Sequence, residues 1–283
     1  MATPFMRFPG GKAKALTFSY DDGVTQDERL AALLNQNGLK GTFNLNSGLF
    51  GVRHNDYQRH LTAEEAAGLY TTGGHEVAVH TLTHPFLEKL SDDRALYEML
   101  EDRRRLEELF HTVVKGMAYP WGPCSERTIR LAKAAGLVYS RTVVSTGDFR
   151  LPEDWFRLTA TCHHGDPRLM ELAERFAGDT PEALPYDRDP WLFYVWGHSY
   201  EFDMADNWRV MEEFASFMAG RSDIWYATNI ELYTYIEAYR SLEYSVSGRL
   251  VKNPSAVEVY LEWDKQLVRI ESGGTAELKE PMA

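Results

Sequence analysis

The sequence predicts an α/β protein built on a parallel β-sheet. Short apolar runs of strand length alternate with amphipathic segments of helix length over about 240 of the 283 residues. With 44% hydrophobic residues the chain can bury a large core, and no linker rich in proline, glycine or serine interrupts the alternation. A parallel sheet with such connections is either open and doubly wound or closed into a barrel.

The predicted strands are short runs rich in β-branched and aromatic residues. In chain order they cover residues 15–20, 41–46, 76–79, 113–119, 138–144, 157–161, 191–196 and 224–227. Predicted helices lie between them at residues 26–37, 63–70, 125–135 and 230–242. Thr62 with Glu65 has the spacing of a capping box, and Gly38 follows the first helix, where a left-handed residue commonly ends a helix.

The pattern changes after residue 242. Residues 243–248, 256–263 and 266–270 read as three short strands with turns between them. About 40 residues are too few to fold alone. We therefore expect residues 1–242 to form one domain and residues 243–283 to form a β extension packed on it, either covering the barrel or making dimer contacts.

Composition excludes several partners and locations. A net charge of −12 repels nucleic acid and anionic lipid surfaces, and no apolar run approaches the roughly 20 residues that span a bilayer. The first residues lack the basic start and apolar stretch of a signal peptide, and two cysteines form no disulfide framework. We expect a cytoplasmic protein, or a secreted one if a leader has been removed, and a homo-oligomer stays open. Seven tryptophans suit carbohydrate binding, although core packing explains tryptophan more often.

Two adjacent carboxylates follow the first predicted strand. Asp21 and Asp22 come directly after it, and Gly23 lets the chain turn. Adjacent carboxylates repel each other, so a site that keeps both ionised usually supplies a cation. The alternative is a turn in which one aspartate caps the next helix.

Two histidines follow the predicted strand 76–79. His80 and His84 are four residues apart, which allows both imidazoles to bind one metal ion, and Pro85 disfavours a return to strand conformation. The alternative is a pair of histidines that only hydrogen-bond backbone groups.

Further polar groups follow three other predicted strands. Tyr119-Pro120-Trp121-Gly122 ends the strand at 113–119; the Trp121 amide could meet a developing oxyanion and its indole could face a sugar, or the segment is a plain loop. His163 and His164 follow the strand at 157–161, and His198 follows the strand at 191–196. One buried histidine is more often structural than catalytic. Four strands followed by carboxylates or histidines, namely Asp21-Asp22, His80 with His84, His163-His164 and His198, favour a barrel with a metal site, because closure brings the strand ends together.

Four segments of the sequence resemble, in this order, the motifs of the polysaccharide deacetylases. They are residues 19–23 (Ser-Tyr-Asp-Asp-Gly), 80–84 (His-Thr-Leu-Thr-His), 118–122 (Ala-Tyr-Pro-Trp-Gly) and 196–198 (Trp-Gly-His). This family is also known as the NodB-homology domain or carbohydrate esterase family 4, and the resemblance covers roughly residues 14–240. It implies a distorted (β/α) barrel of about seven parallel strands. It also implies one divalent metal ion, usually Zn²⁺, and hydrolysis of N-acetyl or, less often, O-acetyl groups on sugars.

Carried onto this sequence, the resemblance makes Asp22, His80 and His84 the metal ligands. Asp21 becomes the general base, and His198 becomes the acid that protonates the departing amine, which leaves poorly unless protonated. The implied partner is an acetylated sugar or oligosaccharide. Its candidate contacts are Tyr119, Trp121, Trp155, His163 and His164.

The sequence departs from the family pattern at two points. Ala118 stands where the family usually has an arginine paired with the base, and we name Arg141 as the candidate replacement, the alternative being a surface or helix-pairing arginine. An Asp-Trp pair whose aspartate orients the acid is best matched by Asp154-Trp155, with Asp148 competing. His163-His164 has no counterpart; it could bind substrate, replace a water on the metal or cap the following helix.

Two other functions stay open. An allantoinase-like enzyme would hydrolyse a small cyclic or linear amide on the same barrel. A carbohydrate-binding protein without catalysis would need neither Asp21 nor His198, so the presence of both argues against it.

Overall fold

The computed structural model describes residues 4–181 and 188–279. Strands and helices alternate along them. The strands are β1 (Phe5–Arg7), β2 (Lys14–Asp22), β3 (Gly41–Leu45), β4 (Glu76–Val79), β5 (Gly116–Ala118), β6 (Tyr139–Ser145), β7 (Leu158–Ala160), β8 (Cys162–His163), β9 (Trp191–Gly197), β10 (Ile224–Tyr226), β11 (Glu243–Tyr244), β12 (Leu250–Lys252), β13 (Val259–Trp263), β14 (Gln266–Ile270) and β15 (Thr275–Glu277). The helices are α1 (Asp27–Gln36), α2 (Ala63–Tyr70), α3 (Asp92–Phe110), α4 (Glu126–Ala134), α5 (Leu169–Gly178), α6 (Tyr200–Met204), α7 (Trp208–Met218) and α8 (Asn229–Arg240).

The main sheet is parallel and closes on itself. Its strands lie in the order β7-β6-β5-β4-β3-β2-β9-β8, with β10 beside the first half of β2. The first and last strands of this order, β7 and β8, are consecutive in the chain and are linked by a single residue, Thr161. Its carbonyl accepts a hydrogen bond from Gly147 just after β6 (2.9 Å), and its N–H donates to Tyr194 of β9 (2.9 Å). The fold is thus the predicted distorted (β/α) barrel.

The two faces of β2 have different surroundings. Phe18 and Tyr20 point outward into the apolar core, where Phe18 meets an aromatic ring of α7. Thr17, Ser19 and Asp21 alternate with them and point into the barrel, where each makes a side-chain hydrogen bond. Because successive side chains of a strand point to opposite faces, this alternation gives β2 an apolar face toward the core and a polar face toward the barrel interior. The interior at the carboxyl end is therefore built to hold charged groups.

Helix α8 closes the amino-terminal end of the barrel. Its first residue, Asn229, donates to the Tyr194 hydroxyl (2.6 Å) and lies 3.2 Å from the Thr17 hydroxyl, while the amide of Ile230 donates to the partly buried Glu76 (2.8 Å). The opposite end is left open. Function is consequently expected at the carboxyl ends of the strands, as in other β/α barrels.

Capping residues set the helix boundaries that the sequence predicted. Thr62 and Glu65 form a reciprocal capping box (3.2 and 2.8 Å), and Thr228 with Glu231 forms another (3.4 and 2.9 Å). Helices α1, α2, α4 and α8 agree with prediction to within one or two residues. Helices α3, α6 and α7 were not predicted, and α5 was expected after His163-His164 without bounds. No helix in the described residues is long and apolar enough to cross a membrane.

The C-terminal strands form two small antiparallel sheets. One has the order β11-β12-β15 and the other β1-β13-β14, so the N-terminal strand joins this region, with Met6 opposite Leu261. Val251, Leu261 and Ile270 form a small core against one side of α8. The predicted strand at 243–248 is shorter, at Glu243–Tyr244, because the chain turns back to pair with β12.

Candidate functional site

A cavity of about 540 Å³ opens at the carboxyl ends of the barrel strands. Its walls come from β2, β9 and the loops that follow β3, β4 and β5. The residues that line it are Asp21, Asp22, Leu49, His54, Gln58, His60, His80, Thr83, His84, Tyr119, Trp121, Val143, Trp196, His198 and Tyr200. Five of the predicted catalytic and metal-binding residues are among them: Asp21, Asp22, His80, His84 and His198.

Asp22, His80 and His84 converge on one point in this cavity. Asp22 Oδ1 lies 3.6 Å from His80 Nε2 and 3.7 Å from His84 Nε2, too far for hydrogen bonds. Ligand atoms about 2.0–2.2 Å from a tetrahedral Zn²⁺ lie roughly 3.3–3.6 Å from one another. The three side chains therefore fit a single divalent ion.

Buried partners fix the orientation of His80. Its Nδ1 lies 2.8 Å from the Ala118 carbonyl, which makes Nδ1 the donor and leaves Nε2 free to bind metal. Asp102 of α3 accepts hydrogen bonds from the amides of Ser47 (2.7 Å) and His80 (3.2 Å), and Asn46 donates to the His80 carbonyl (2.6 Å). Burial raises the pKa of Asp102 to about 7. His80 is thus held by its ring and by its backbone.

The ring of His84 is suited to ligation by its charge state. Burial, and next the neighbouring His80, lower the pKa of His84 to about 4. The imidazole is accordingly neutral near pH 7, with a lone pair available to a metal.

Unusual backbone angles concentrate around the ligands. Asp22, Thr81, His84 and Trp121 have positive φ values of 80°, 66°, 57° and 65°. Residues other than glycine pay of order 1–3 kcal/mol for such strain, which persists only where the surroundings enforce it. Asp22 and His84, which both adopt this left-handed conformation, line the cavity with their side chains.

Asp21 is buried in a network of donors. Arg141 contacts both of its carboxylate oxygens, and Asn44 donates to Oδ1 (2.8 Å). Burial alone would favour the neutral acid, but the charge of Arg141, and next that of His80, lowers the pKa of Asp21 to about 2. Asp21 is therefore ionised near pH 7, and the candidate role of Arg141 as its partner agrees with this geometry.

His198 faces Asp21 from the end of β9. Its Nε2 lies 3.9 Å from Asp21 Oδ2, and its Nδ1 lies 3.1 Å from Glu201 Oε1. Burial opposes protonation of the ring, but the hydrogen bond with Glu201 and the charges of Asp22 and Asp21 outweigh it and raise the pKa to about 9.

The structure does not bring Asp154 to His198, and the expectation that Asp154 orients this histidine is corrected. Asp154 is 45% exposed, pairs with Arg157 (2.6 Å) and caps the short turn after it by accepting from Phe156 N–H (2.8 Å). Asp148, the competing choice, pairs with exposed Arg150 (2.7 Å). The carboxylate at His198 is Glu201.

The aromatic candidates separate into two groups. Trp121 is 55% exposed at the cavity rim, where its indole stacks on Phe86 with ring centres 4.8 Å apart. Tyr119 lines the cavity, although its ring is mostly in the core. Trp155 lies outside the cavity. Its indole is buried against α8 and donates to Glu237 of that helix (2.8 Å). It is not placed to contact a substrate there.

His163 and His164 do not line the cavity. Each places its Nε2 close to Glu201 Oε2, at 3.0 and 3.1 Å, behind His198. Sequence reasoning missed Glu201, whose signal was its position three residues after His198 at the start of a helix. It also missed His54, Gln58 and His60, which come from the loop between β3 and α2.

Comparison with known proteins identifies relatives of the chain. Residues 9–140 match the family model of the polysaccharide deacetylases. The Bacillus subtilis (strain 168) protein YxkH, named for this family, is 27% identical over 124 residues, which are 44% of this chain and 42% of that protein. The chain thus matches less than half the length of this relative.

Two solved structures share the fold. One is a Mycobacterium smegmatis protein assigned to the polysaccharide deacetylases, 17% identical with a TM-score of 0.58 over 85% of this chain and 96% of that one. Another is Puue allantoinase, 14% identical with a TM-score of 0.57 over 80% and 90%. At these identities the likeness concerns the fold alone. The family match, together with the four sequence motifs, confirms that the chain is related to the polysaccharide deacetylases.

Proposed function

We propose that this protein is a metal-dependent hydrolase that removes acetyl groups from N-acetylated amino sugars or glycans. The observation that carries the proposal is the convergence of three metal-ligand side chains with a carboxylate and an imidazole in one cavity. Asp21 Oδ2 lies 3.8 Å from His80 Nε2 and 3.9 Å from His198 Nε2. Sugar binding alone requires neither a base nor an acid, so a hydrolase explains this arrangement better than a silent binding protein does.

Asp22, His80 and His84 would hold the divalent ion, which we take to be Zn²⁺ and which, when bound, polarises the acetyl carbonyl and acidifies water. Asp21 accepts the proton of the attacking water, since it is ionised near pH 7. Arg141 and Asn44 hold this carboxylate in place. Asp21 therefore acts as the general base.

His198 supplies the proton that the leaving nitrogen needs. Its pKa of about 9 keeps the ring protonated near pH 7, and its Nε2 faces Asp21 and the cavity. An amine departs poorly as an anion, so transfer of this proton accompanies cleavage of the C–N bond.

The cavity rim supports a neutral sugar as substrate. Trp121 and Phe86 stack into one exposed aromatic ledge on which the apolar face of a pyranose can lie. The Trp121 amide, in a turn closed by the Gly122 N–H donating to the Tyr119 carbonyl (3.0 Å), is our candidate oxyanion donor. Among the described residues that line the cavity there is no lysine or arginine that could pair with an acidic sugar.

Acetate release tests the proposal. Protein stripped with a chelator and reloaded with Zn²⁺ is assayed on chito-oligosaccharides, with ring opening of allantoin measured in parallel. We expect acetate release that needs the metal, and Asp21→Asn should retain metal but lose about 10²–10⁴-fold in turnover. Allantoin turnover without acetate release, or sugar binding without any turnover, would contradict the proposal.

A further inference from the structure

Glu201 is the point at which three histidines meet. Its Oε1 lies 3.1 Å from His198 Nδ1, and its Oε2 lies 3.0 Å from His163 Nε2 and 3.1 Å from His164 Nε2. The described residues contain no other carboxylate in contact with three imidazoles. Oε1 of Glu201 therefore contacts His198, which faces the cavity, and Oε2 contacts the two histidines behind it.

Local structure explains how Glu201 reaches His198. The Glu201 N–H donates to the His198 carbonyl (3.1 Å) in the turn that starts α6. Side chains three residues apart in such a turn lie on the same side of it. The imidazole and its carboxylate are thus fixed to each other by one turn of backbone.

The contact with Glu201 determines which nitrogen of His198 faces the cavity. A carboxylate can only accept, so Nδ1 must carry a proton and Nε2 points toward Asp21, 3.9 Å away. Without this acceptor the neutral ring could carry its proton on either nitrogen, or turn away from the cavity.

His163 and His164 support Glu201 from behind. The Gly165 N–H donates to His163 Nδ1 (3.1 Å), so the neutral ring carries its proton on Nε2, next to Glu201. His164 is stacked between Phe202 and Tyr20, with ring centres 4.1 and 5.7 Å away. Glu201 Oε2 is shielded from solvent, and the two N–H groups approach it closely without pointing straight at it. These contacts therefore confine the carboxylate and leave its one aligned hydrogen bond to His198.

We propose that Glu201 is the positioning residue for His198, and that His163 and His164 hold Glu201 in place for this role. The inference rests on the proposed function, in which His198 protonates the leaving amine. It gives the His163-His164 pair a role other than substrate binding, and it assigns to α6 the carboxylate that the sequence motifs suggested at residue 154.

Kinetics on two substrates tests the role of Glu201. An activated acetyl ester releases a phenolate that needs no protonation, whereas an N-acetyl sugar releases an amine that does. We expect Glu201→Ala to lose about 10–100-fold in kcat on the N-acetyl sugar and less than about threefold on the ester. Adding Glu201→Ala to His198→Ala should cost little more, because residues that act as one unit are not additive. Asp203→Asn, on the same helix, is the matched control and should leave both rates near wild type.

A second measurement does not depend on activity. Nitrogen-15 NMR above pH 9, where the His198 ring is neutral, should report the proton on Nδ1 in the wild type and a shift toward the Nε2-protonated form in Glu201→Ala. An unchanged spectrum, additive losses, or equal losses on both substrates would overturn the inference. So would a second equivalent of bound Zn²⁺ that disappears in Glu201→Ala, because Glu201 would then be a metal ligand. If wild-type protein releases no acetate from any sugar, the proposed function fails, while the NMR result still decides whether Glu201 sets the ring of His198.

Discussion

Arg141 contacts both carboxylate oxygens of Asp21 across the interior of the barrel. It lies on β6 in register with Ala118 of β5, the position at which related motifs usually carry an arginine. The guanidinium also donates to Ser19 (3.2 Å) and lies over the indole of Trp196 at 4.6 Å. The positive charge that pairs with Asp21, the proposed base, is thus supplied from the neighbouring strand, so the absence of the motif arginine at Ala118 does not leave Asp21 unpaired.

Removal of Arg141 should destabilise the fold. Arg141→Ala leaves a buried carboxylate without its partner, which typically costs about 3–5 kcal/mol of unfolding free energy. Denaturant unfolding measures the loss, and Arg104→Ala, which removes an exposed arginine paired with Glu101 and Glu108, should cost far less. Adding Asp21→Asn to Arg141→Ala should restore part of the stability. A double variant no more stable than Arg141→Ala would show that the pair does not account for the loss.

Metal content distinguishes the ligands from other histidines of the cavity. His80→Ala should bind well below one equivalent of Zn²⁺, because it removes one of three converging ligand atoms. It should also lose the rise in melting temperature that Zn²⁺ gives the wild type. His54→Ala removes a histidine that lines the same cavity but lies outside the ligand group, and it should keep a full equivalent. Full metal retention in His80→Ala would refute the ligand assignment.

The predictable part of the fold comes from local signals. Capping boxes at Thr62 and Thr228 and the apolar run of β9 each specify an element from a few adjacent residues. Helix α3 escaped prediction because its buried residues, Ala95, Met99, Asp102 and Leu106, form a narrow stripe in a highly charged segment. The pairing of β1 with β13 could not be foreseen, since a three-residue strand does not specify a partner more than 250 positions away.

Like the fold, the candidate site has residues that local sequence signals predict and residues that they do not. The convergence of Asp22, His80 and His84 was predictable because they lie at or shortly after the carboxyl ends of β2 and β4, and parallel strands bring these ends together. Asp154 was misplaced because the spacing of its motif is loose, and nothing local decides whether a surface aspartate caps a turn or reaches a histidine. Glu201 could be recognised only once α6 was known to start next to His198, since the three-residue spacing is meaningful in a helical turn and not in a strand.

Partly buried Glu76 should make stability depend on pH. Burial raises its pKa to about 7 although Tyr139, Thr42 and the amide of Ile230 donate to it. The folded state then holds a proton that the unfolded state has released between about pH 4.5 and 7, so this group's contribution to stability falls by about 3 kcal/mol as pH rises through that window. Glu76→Gln lacks this proton equilibrium. Its unfolding free energy, relative to wild type, should therefore increase by a similar amount from pH 4.5 to 7.5.

Chemical denaturation at several pH values checks the role of Glu76. Glu64→Gln, at an exposed position of α2, is the matched control, and its difference from wild type should vary much less with pH. A difference between Glu76→Gln and wild type that is constant with pH would mean that Glu76 does not change protonation on folding in this range.

The two tryptophans proposed as substrate contacts should behave differently when replaced. Trp121 is exposed at the cavity rim and stacked on Phe86, so Trp121→Ala removes a sugar platform without opening a hole in the core. The loss of stacking area should cost about 1.5 kcal/mol of substrate binding, which corresponds to roughly a tenfold higher KM on chito-oligosaccharides. Its backbone amide remains, so kcat should change less than KM. Trp155→Ala instead should lower the unfolding free energy by about 3–5 kcal/mol, because that indole is buried against α8, and should leave KM near wild type at a temperature where the variant is folded. A large KM change in Trp155→Ala together with no change in Trp121→Ala would move the sugar-binding surface from the cavity rim to the side of α8.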